Sequence, residues 1–513
     1  MNQPEFHAGS ARMNVDPPFG LPMVGVVRRP DPATTRMGTL EVTAAAFELG
    51  TTRVVVCGVD TLAIQAPEID DIRARIAAAT GATRAGIVIN SSHTHHAPPG
   101  GRTIFGSFGE RDPNPDTNTL AYIDYLHEAI VTVCKQAFDS LEEATIRTGM
   151  GLCDVAINRR QRDPDGFVRR IGWNPSGFVD ISLPVLQSIR PDGSIIATIV
   201  AYGAHTVTTG VNYPGYSPDY PGPLRELVRE VTGGECVFLL GAAGNIMPRF
   251  AFDDECQEPT RMGRRLAIQA LDAIADRLSG PAEIIETGFG SGTRVDLFRL
   301  KLIGDQTPAL GAAEEEVVFP LLPLPTREEI RVTHDRDAEQ LAKAEEAGIS
   351  EAELRMLRFH GFNWSLRVLT EIESGKPRTT VSGSVNAVRI GNAVIITGPG
   401  EIFSEIGLAV KERSVADVTF YVGYSNGQIS YIPTACEYPL GGYEPAYGHK
   451  TYGLPAQVSP ETERLLIDTG VRLSNSLFPE LPASPVLGTT FTGNMPVPPP
   501  PFDYRRPATS GSL

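Results

Sequence analysis

The sequence predicts a mixed α/β fold, a sheet-containing domain with helices packed against it. Three apolar runs rich in β-branched residues indicate buried strands; they lie at 53–59, 85–90 and 236–240. Between the first two, residues 67–80 begin with proline and acidic residues, as the first turn of a helix commonly does. A strand-helix-strand order of this kind indicates parallel strands joined by a right-handed crossover.

Composition excludes several classes of function. The 513 residues are 41% hydrophobic and 21% charged, which is typical of a globular protein, and the formal net charge of -16 argues against nucleic-acid binding. The six cysteines form no CxxC pair, so we expect reduced thiols. We see neither a signal peptide nor an apolar run long enough for a transmembrane segment, and therefore predict a cytoplasmic protein. A homo-oligomer is compatible with the sequence.

The remaining elements follow from periodicity and turn residues, which predict one domain over 1–485. Further strands are predicted at 9–16, 40–49, 144–157, 178–186, 194–200, 283–303, 382–397 and 419–434. Helices are predicted at 117–140, around 224–228, and at 261–278 and 402–413, with a helical insertion at 326–375 after a proline-rich linker at 317–325. Residues 486–513 are proline-rich and polar, and are predicted to be disordered or to form an arm on a neighbour.

A histidine-rich loop, His93-Thr94-His95-His96, follows the strand that ends at Asn90. In extended backbone His93 and His95 share a face and His96 lies on the other. Neutral imidazole is the commonest protein metal ligand, so this loop is a candidate metal or catalytic site. The alternative is that these are ordinary polar loop residues.

Other polar residues lie at predicted strand ends, and each has a structural alternative. His205 closes a buried strand and is the second strong candidate. The turn at 241–248 can present backbone N–H groups to an oxyanion, or can be a tight turn that only small residues fit. Glu401 follows a Gly-Pro-Gly turn, as a ligand carboxylate or as a helix-dipole partner. Asp60 can support a metal or end a strand, and Arg159 can clamp a substrate or form a surface ion pair.

Taken in order, these segments resemble the neutral/alkaline, non-lysosomal ceramidases, a family of zinc-dependent amidases. The resemblance covers the N-terminal catalytic domain and runs from about residue 9 to 475. It rests on the motifs His-Thr-His with the following Pro-Gly-Gly, Asn158-Arg159, His205, Ala-Gly-Asn-x-x-Pro at 243–248, Pro399-Gly400-Glu401, Tyr431-Ile432-x-Thr434, Glu437-Tyr438 and Tyr443-Glu444.

The resemblance implies one Zn²⁺ per chain, held by His93, His205, Glu401 and Tyr431. It also implies that His95 lies beside the metal and touches the substrate or intermediate, and that Arg159 holds or orients the substrate. His95 would there stabilise the oxyanion or shuttle a proton to the leaving amine. Two imidazoles and a carboxylate are a common catalytic zinc set.

The chain departs from the family in two respects. Ala243 stands where we align a hydroxyl residue, which leaves backbone groups and Asn245 to contribute at that turn. We also expect no C-terminal immunoglobulin-like domain.

The sequence therefore predicts a divergent family member, a zinc amidohydrolase acting on a small soluble amide. The alternatives are a zinc esterase or lactonase, a ceramidase proper, and a metal-free binding protein that keeps the fold.

Overall fold

The computed structural model describes residues 5–26, 29, 32–102, 117–275, 282–289, 296–302 and 309–481, with backbone alone for the stretches at 282–289 and 296–302. The described chain is mixed α/β, which confirms the predicted fold class. Most strands belong to three larger sheets and one three-stranded sheet.

The first sheet has the strand order β5-β4-β3-β1-β6. Its strands are β1 (Phe6–Asn14), β3 (Glu41–Leu49), β4 (Thr52–Val59), β5 (Ile87–Ser91) and β6 (Glu142–Glu143). Helix α1 (Glu68–Thr80) connects β4 to the parallel strand β5, as predicted. Helix α2 (Thr117–Asp139) packs on the same sheet through apolar residues at helical spacing.

The second sheet has the order β13-β11-β10-β7. Its strands are β7 (Thr145–Leu152), β10 (Ser182–Ile189), β11 (Ile195–Tyr202) and β13 (Glu235–Leu240). Strands β10 and β11 form the predicted antiparallel hairpin. Helix α3 (Pro221–Thr232) connects β11 to its parallel neighbour β13, and α4 (Glu258–Ala275) packs against α3, β7 and β10.

The third large sheet has the order β17-β18-β19-β21. Its strands are β17 (Leu310–Pro320), β18 (Thr380–Ile390), β19 (Ala393–Thr397) and β21 (Val418–Val422). The turn at Gly391-Asn392 joins β18 to β19, as predicted. Helix α8 (Ser404–Arg413) connects β19 to the parallel strand β21. Residues 317–320 belong to β17, so the linker predicted at 317–325 begins too early.

The smaller sheets carry several of the candidate residues. They are β14-β8-β9 (Ile246–Pro248, Ala156–Arg162, Val168–Asn174), β20-β22 (Glu401–Ile402, Tyr431–Ile432), β12-β2 (Gly215–Tyr216, Thr35–Arg36) and β15-β16 (Ala282–Phe289, Asp296–Leu302). The single strand predicted at 144–157 is in fact β7 followed by β8. Arg159 consequently lies inside β8 and not beyond a strand end.

The stretch predicted to be a helical insertion is helical. It comprises α5 (Arg327–Glu346), α6 (Glu351–Leu357), a π-helical turn (Arg358–Asn363) and α7 (Trp364–Glu373). The last described helices are α9 (Tyr443–Ala446), α10 (Gly448–Thr451) and α11 (Glu461–Ser476). The proposed division into 1–485 and a tail at 486–513 stays a prediction, because the tail lies outside the described residues. Among the helices that the structure describes, none has the length and apolar character to cross a bilayer.

The three large sheets share one apolar core, and the side chain of Asn90 ties their parallel strands together at one end. That side chain, carried by β5, is fully buried. Its Nδ2 lies 3.2 Å from the Leu240 carbonyl and 2.8 Å from the Gly423 carbonyl, and its Oδ1 accepts from the Leu240 N–H at 2.7 Å. The carboxyl ends of β5, β13 and β21 are thereby held side by side, and this is where the candidate residues gather.

Candidate metal centre

The candidate metal-binding residues follow the carboxyl ends of parallel strands. His93 and His95 come just after β5, His205 after β11 and Glu401 after β19. Ligand sites in open α/β sheets characteristically lie beyond the carboxyl ends of the strands. The sheet topology thus places side chains that are far apart in sequence at one location.

The three histidine rings lie in contact with one another. The ring centroids of His93 and His95 are 5.0 Å apart, those of His93 and His205 4.9 Å, and those of His95 and His205 5.8 Å. One nitrogen from each ring can be chosen such that all three lie within 4.8 Å of one another. Among the described residues, these three histidines lie close enough together to bind one cation jointly.

Each of these rings donates Nδ1–H to a backbone carbonyl, and this fixes its tautomer. The distances are 2.8 Å from His93 to Leu62, 3.0 Å from His95 to Gly25 and 2.7 Å from His205 to Ala243. A carbonyl can only accept, so in each neutral ring the proton is on Nδ1 and the lone pair is on Nε2. All three rings are therefore in the form that a metal requires.

Glu401 brings a carboxylate to the same place. Its Oε2 is 3.4 Å from Nε2 of His93 and 3.1 Å from Nε2 of His205. The Tyr452 hydroxyl donates to Oε1 at 2.5 Å, and the Tyr424 hydroxyl donates to Oε2 at 3.3 Å. Glu401, His93 and His205 are each 2% exposed or less, so water does not screen their charges.

The pKa shifts agree with this assignment. Burial, reinforced by the charge of Arg159, lowers the pKa of His205 to about 4. Burial and the neighbouring histidines lower the pKa of His95 well below its usual range. Burial opposes ionisation of Glu401, but His93 and His205 outweigh it and hold the carboxyl pKa well below normal. These shifts favour neutral imidazoles at His95 and His205 and an ionised carboxylate at Glu401.

This arrangement fits a bound divalent cation. Lone pairs on His93, His205 and Glu401 face one another, and Nε2 of His95 is buried without a hydrogen-bond partner. Acceptors packed together without donors repel one another unless a cation lies between them. Zinc accepts this combination of nitrogen and oxygen ligands.

Tyr431 lies beside this group, and Arg159 holds its hydroxyl. Strand pairing sets Tyr431 opposite Glu401. Arg159 donates to the Tyr431 hydroxyl at 3.2 Å through Nη2 and to Glu444 at 2.8 Å through Nε. Burial and the charge of Glu401 raise the pKa of Tyr431 well above its usual value, so the phenol is protonated when no cation is bound.

Asn245 belongs to the same region, but its side chain is engaged elsewhere. Its Oδ1 accepts from the Ser404 N–H at 2.9 Å, and its Nδ2 donates to Glu405 at 2.8 Å. Its backbone carbonyl accepts from the Arg159 N–H at 2.8 Å. Asn245 therefore fixes the start of α8 and the position of Arg159 in β8.

Two other polar residues considered from the sequence lie outside this group. His96 is turned away, with Nδ1 3.1 Å from the Gly215 carbonyl and Nε2 3.1 Å from Arg29. Asp60 forms a buried ion pair with Arg225, so it takes the structural role.

The predicted reason for the proximity of His93 and His95 is wrong, although the rings do meet. Strand β5 ends at Ser91, and His93 has a left-handed backbone conformation with φ 59°. The turn, and not extended backbone, brings the two rings onto one side.

Three further residues contribute to the site but were not predicted as site residues: Tyr424, Glu444 and Tyr452. Glu444 belongs to a motif quoted for the resemblance, but its pairing with Arg159 joins residues 285 positions apart. Tyr424 follows β21, so its position at a parallel strand end was a usable signal. Tyr452 ends a segment at 437–452 whose tyrosine and glycine content predicts a pocket-lining loop, but no motif singles it out.

Comparisons with known proteins support the fold. No protein-family model and no curated protein matches the chain. A crystal structure of neutral ceramidase from Pseudomonas aeruginosa is similar, with a TM-score of 0.63 and 16% identity over 96% of this chain and 77% of that one. A structure described as ceramidase complexed with C2 has a TM-score of 0.64 and 16% identity over 96% and 78% of the two chains. The chain therefore has a ceramidase-like fold.

Proposed function

We propose that this protein is a zinc-dependent hydrolase that cleaves a carboxamide bond. One zinc per chain would be held by His93, His205, Glu401 and Tyr431, with His95 beside it. One observation carries the proposal. Nε2 of His93 and of His205 lie within 3.4 Å of the buried Glu401 carboxylate, and Nε2 of the neighbouring His95 has no hydrogen-bond partner. The likeness to two ceramidase structures supports an amide as the bond that is cleaved.

Zinc in such a site lowers the pKa of water and polarises a carbonyl group. His95 suits the proton-transfer step, because its Nδ1 is held by Gly25 and its Nε2 has no partner of its own. In this proposal Nε2 of His95 would take up the proton of the attacking water and pass it to the amine as the C–N bond breaks. As a ligand, Tyr431 would bind as the phenolate, with its proton released to solvent.

Arg159 has the role of orienting the substrate carbonyl. Glu444 and Tyr431 hold its guanidinium, and Arg159 is 4% exposed, so its position is set before substrate arrives. Asn245 contributes by fixing the strand that carries Arg159, through the backbone bond described above.

The proposed substrate is a small soluble amide. Ala243 gives the 241–248 turn no side-chain hydroxyl of its own at that position, and the four proposed ligands and Arg159 are each 5% exposed or less. We also propose a cytoplasmic location, which the six unpaired cysteines support.

The test is hydrolysis of matched amides and esters by zinc-loaded protein, with a panel that ranges from short N-acyl amines to ceramide. We expect the short amides to be cleaved. His93→Ala and His205→Ala should abolish both turnover and zinc uptake, whereas His7→Ala, on the half-buried β1 position, should change neither.

Each contrary result has a specific meaning. Cleavage of esters or lactones alone would replace the amidase by an esterase, and ceramide as the best substrate would make the protein a ceramidase proper. Zinc uptake without turnover of any panel member would refute the hydrolase, while unchanged zinc content in both histidine variants would refute the proposed ligands.

A further inference from the structure

Three buried residues, linked by hydrogen bonds, hold the Glu401 carboxylate through Oε1, the oxygen that does not face His93 and His205. Tyr452 donates to Glu401 Oε1, and Gln428 Nε2 donates to the Tyr452 hydroxyl. Gln65 Nε2 in turn donates to the Gln428 backbone carbonyl at 2.9 Å. We call Gln65, Gln428 and Tyr452 the brace.

The direction of these hydrogen bonds is fixed by chemistry. The Glu401 carboxylate can only accept, so the single proton of the Tyr452 hydroxyl points to it. The phenol oxygen is then an acceptor toward Gln428, which must present its NH₂ group and not its carbonyl. Oε1 of Gln428 is left without a hydrogen-bond partner. The Tyr452 hydroxyl therefore donates to Glu401 and accepts from Gln428.

Both ends of the brace are anchored to the elements that carry the histidines. Gln428 follows Asn426, whose Oδ1 accepts from the Ile89 N–H in β5 at 2.9 Å. Gln65 belongs to the segment 61–65, which also supplies the Leu62 carbonyl that holds Nδ1 of His93 at 2.8 Å. The segment 61–65 thus supports two of the proposed ligands. Leu62 holds His93 directly, and Gln65 supports Glu401 through Gln428 and Tyr452.

The geometry points to Gln428 and Tyr452 as positioning residues that set metal affinity without touching the metal. By holding Oε1, the brace turns Oε2 of Glu401 toward Nε2 of His93 and His205 before any cation arrives. This rests on the proposed zinc site, and it assigns a function to residues that the proposed reaction does not use. Outer partners of metal ligands are commonly worth about 10–100-fold in affinity.

The test is zinc affinity of the full chain, measured by competition with a chromophoric chelator and without substrate. We expect Tyr452→Phe to weaken zinc binding about 10–100-fold, and Gln428→Met about tenfold. The matched controls are Tyr438→Phe, whose hydroxyl donates to the Val458 carbonyl, and Gln187→Met, a buried glutamine bonded to Thr198. Both controls should bind zinc within about twofold of wild type.

A double variant separates positioning from general damage to the fold. Because Gln428 acts through the phenol, Gln428→Met should weaken zinc binding no further in the Tyr452→Phe background. Thermal melting of the metal-free variants checks that they remain folded. Wild-type affinity in folded Tyr452→Phe, or a full additional loss in the double variant, would overturn the inference.

The outcome is distinct from that for the proposed function. Zinc binding that weakens as predicted in a protein without amidase activity supports the brace and refutes only the hydrolase. A wild-type chain that takes up no zinc overturns both.

Discussion

Asn90→Ala should be among the most damaging single substitutions outside the candidate metal ligands. The side chain is fully buried and joins the ends of β5, β13 and β21 through Leu240, Gly423 and Ser425. Alanine leaves the Leu240 N–H without its acceptor, whereas the Gly423 carbonyl keeps the Ser425 hydroxyl as a donor. A buried backbone group without a partner costs about 1–3 kcal/mol.

With one such group, the other hydrogen bonds of the Asn90 side chain lost and a small cavity in addition, we expect the free energy of unfolding to fall by about 3 kcal/mol. Urea unfolding followed by circular dichroism measures this as a lower midpoint at a similar slope. The control is Asn392→Ala, which removes two side-chain hydrogen bonds in the β18–β19 turn and should cost less than about 1 kcal/mol. A loss below about 1 kcal/mol for Asn90→Ala would refute the view that this side chain holds the strand ends together.

Three further predictions concern charge and packing. Burial lowers the pKa of His360 to about 3. Below about pH 6.5 the unfolded state therefore binds a proton at His360 that the folded state does not. The free energy of unfolding consequently falls by about 1.4 kcal/mol per pH unit between about pH 6.5 and about pH 3. His360→Phe should flatten the fall in urea midpoint between pH 7 and 5, and an unchanged fall would contradict this. Glu444→Gln leaves the buried Arg159 guanidinium without its carboxylate partner, so the free energy of unfolding should fall by about 3–5 kcal/mol in the same urea assay. A loss under about 1 kcal/mol would show that the pair is dispensable. Gly448→Ala would bring a methyl group within 2.3 Å of the Tyr431 ring and so displace that ring. We therefore expect kcat/KM on the proposed amide substrate to fall about 100-fold. Wild-type turnover would show that the position of Tyr431 does not matter for the reaction.

The sequence was sufficient for most elements of the fold, because apolar runs and turn residues are local signals. The runs at 53–59, 85–90 and 236–240 became β4, β5 and β13 with boundaries shifted by only a few residues. The crossover through α1 was predictable from the order of the segments. Boundaries failed where one apolar stretch contained two strands, as at β7 and β8.

For the candidate site, local signals located residues but did not supply their contacts. His93, His205 and Glu401 could be selected because each follows a predicted strand, and the sheets bring them together. The left-handed turn at His93 could not be foreseen, since positive φ is uncommon outside glycine, although histidine is enriched among the exceptions. The hydrogen bond of Tyr452 to Glu401 spans 51 residues and depends on tertiary packing alone.

The metal content of the full chain, purified without added metal and measured by plasma mass spectrometry, tests the proposed zinc site directly. The convergence of His93, His205 and Glu401 predicts about one zinc per chain, lost in His205→Ala and retained in His7→Ala. Protein that contains no zinc, and takes up none on dialysis against zinc, would rule out the zinc site.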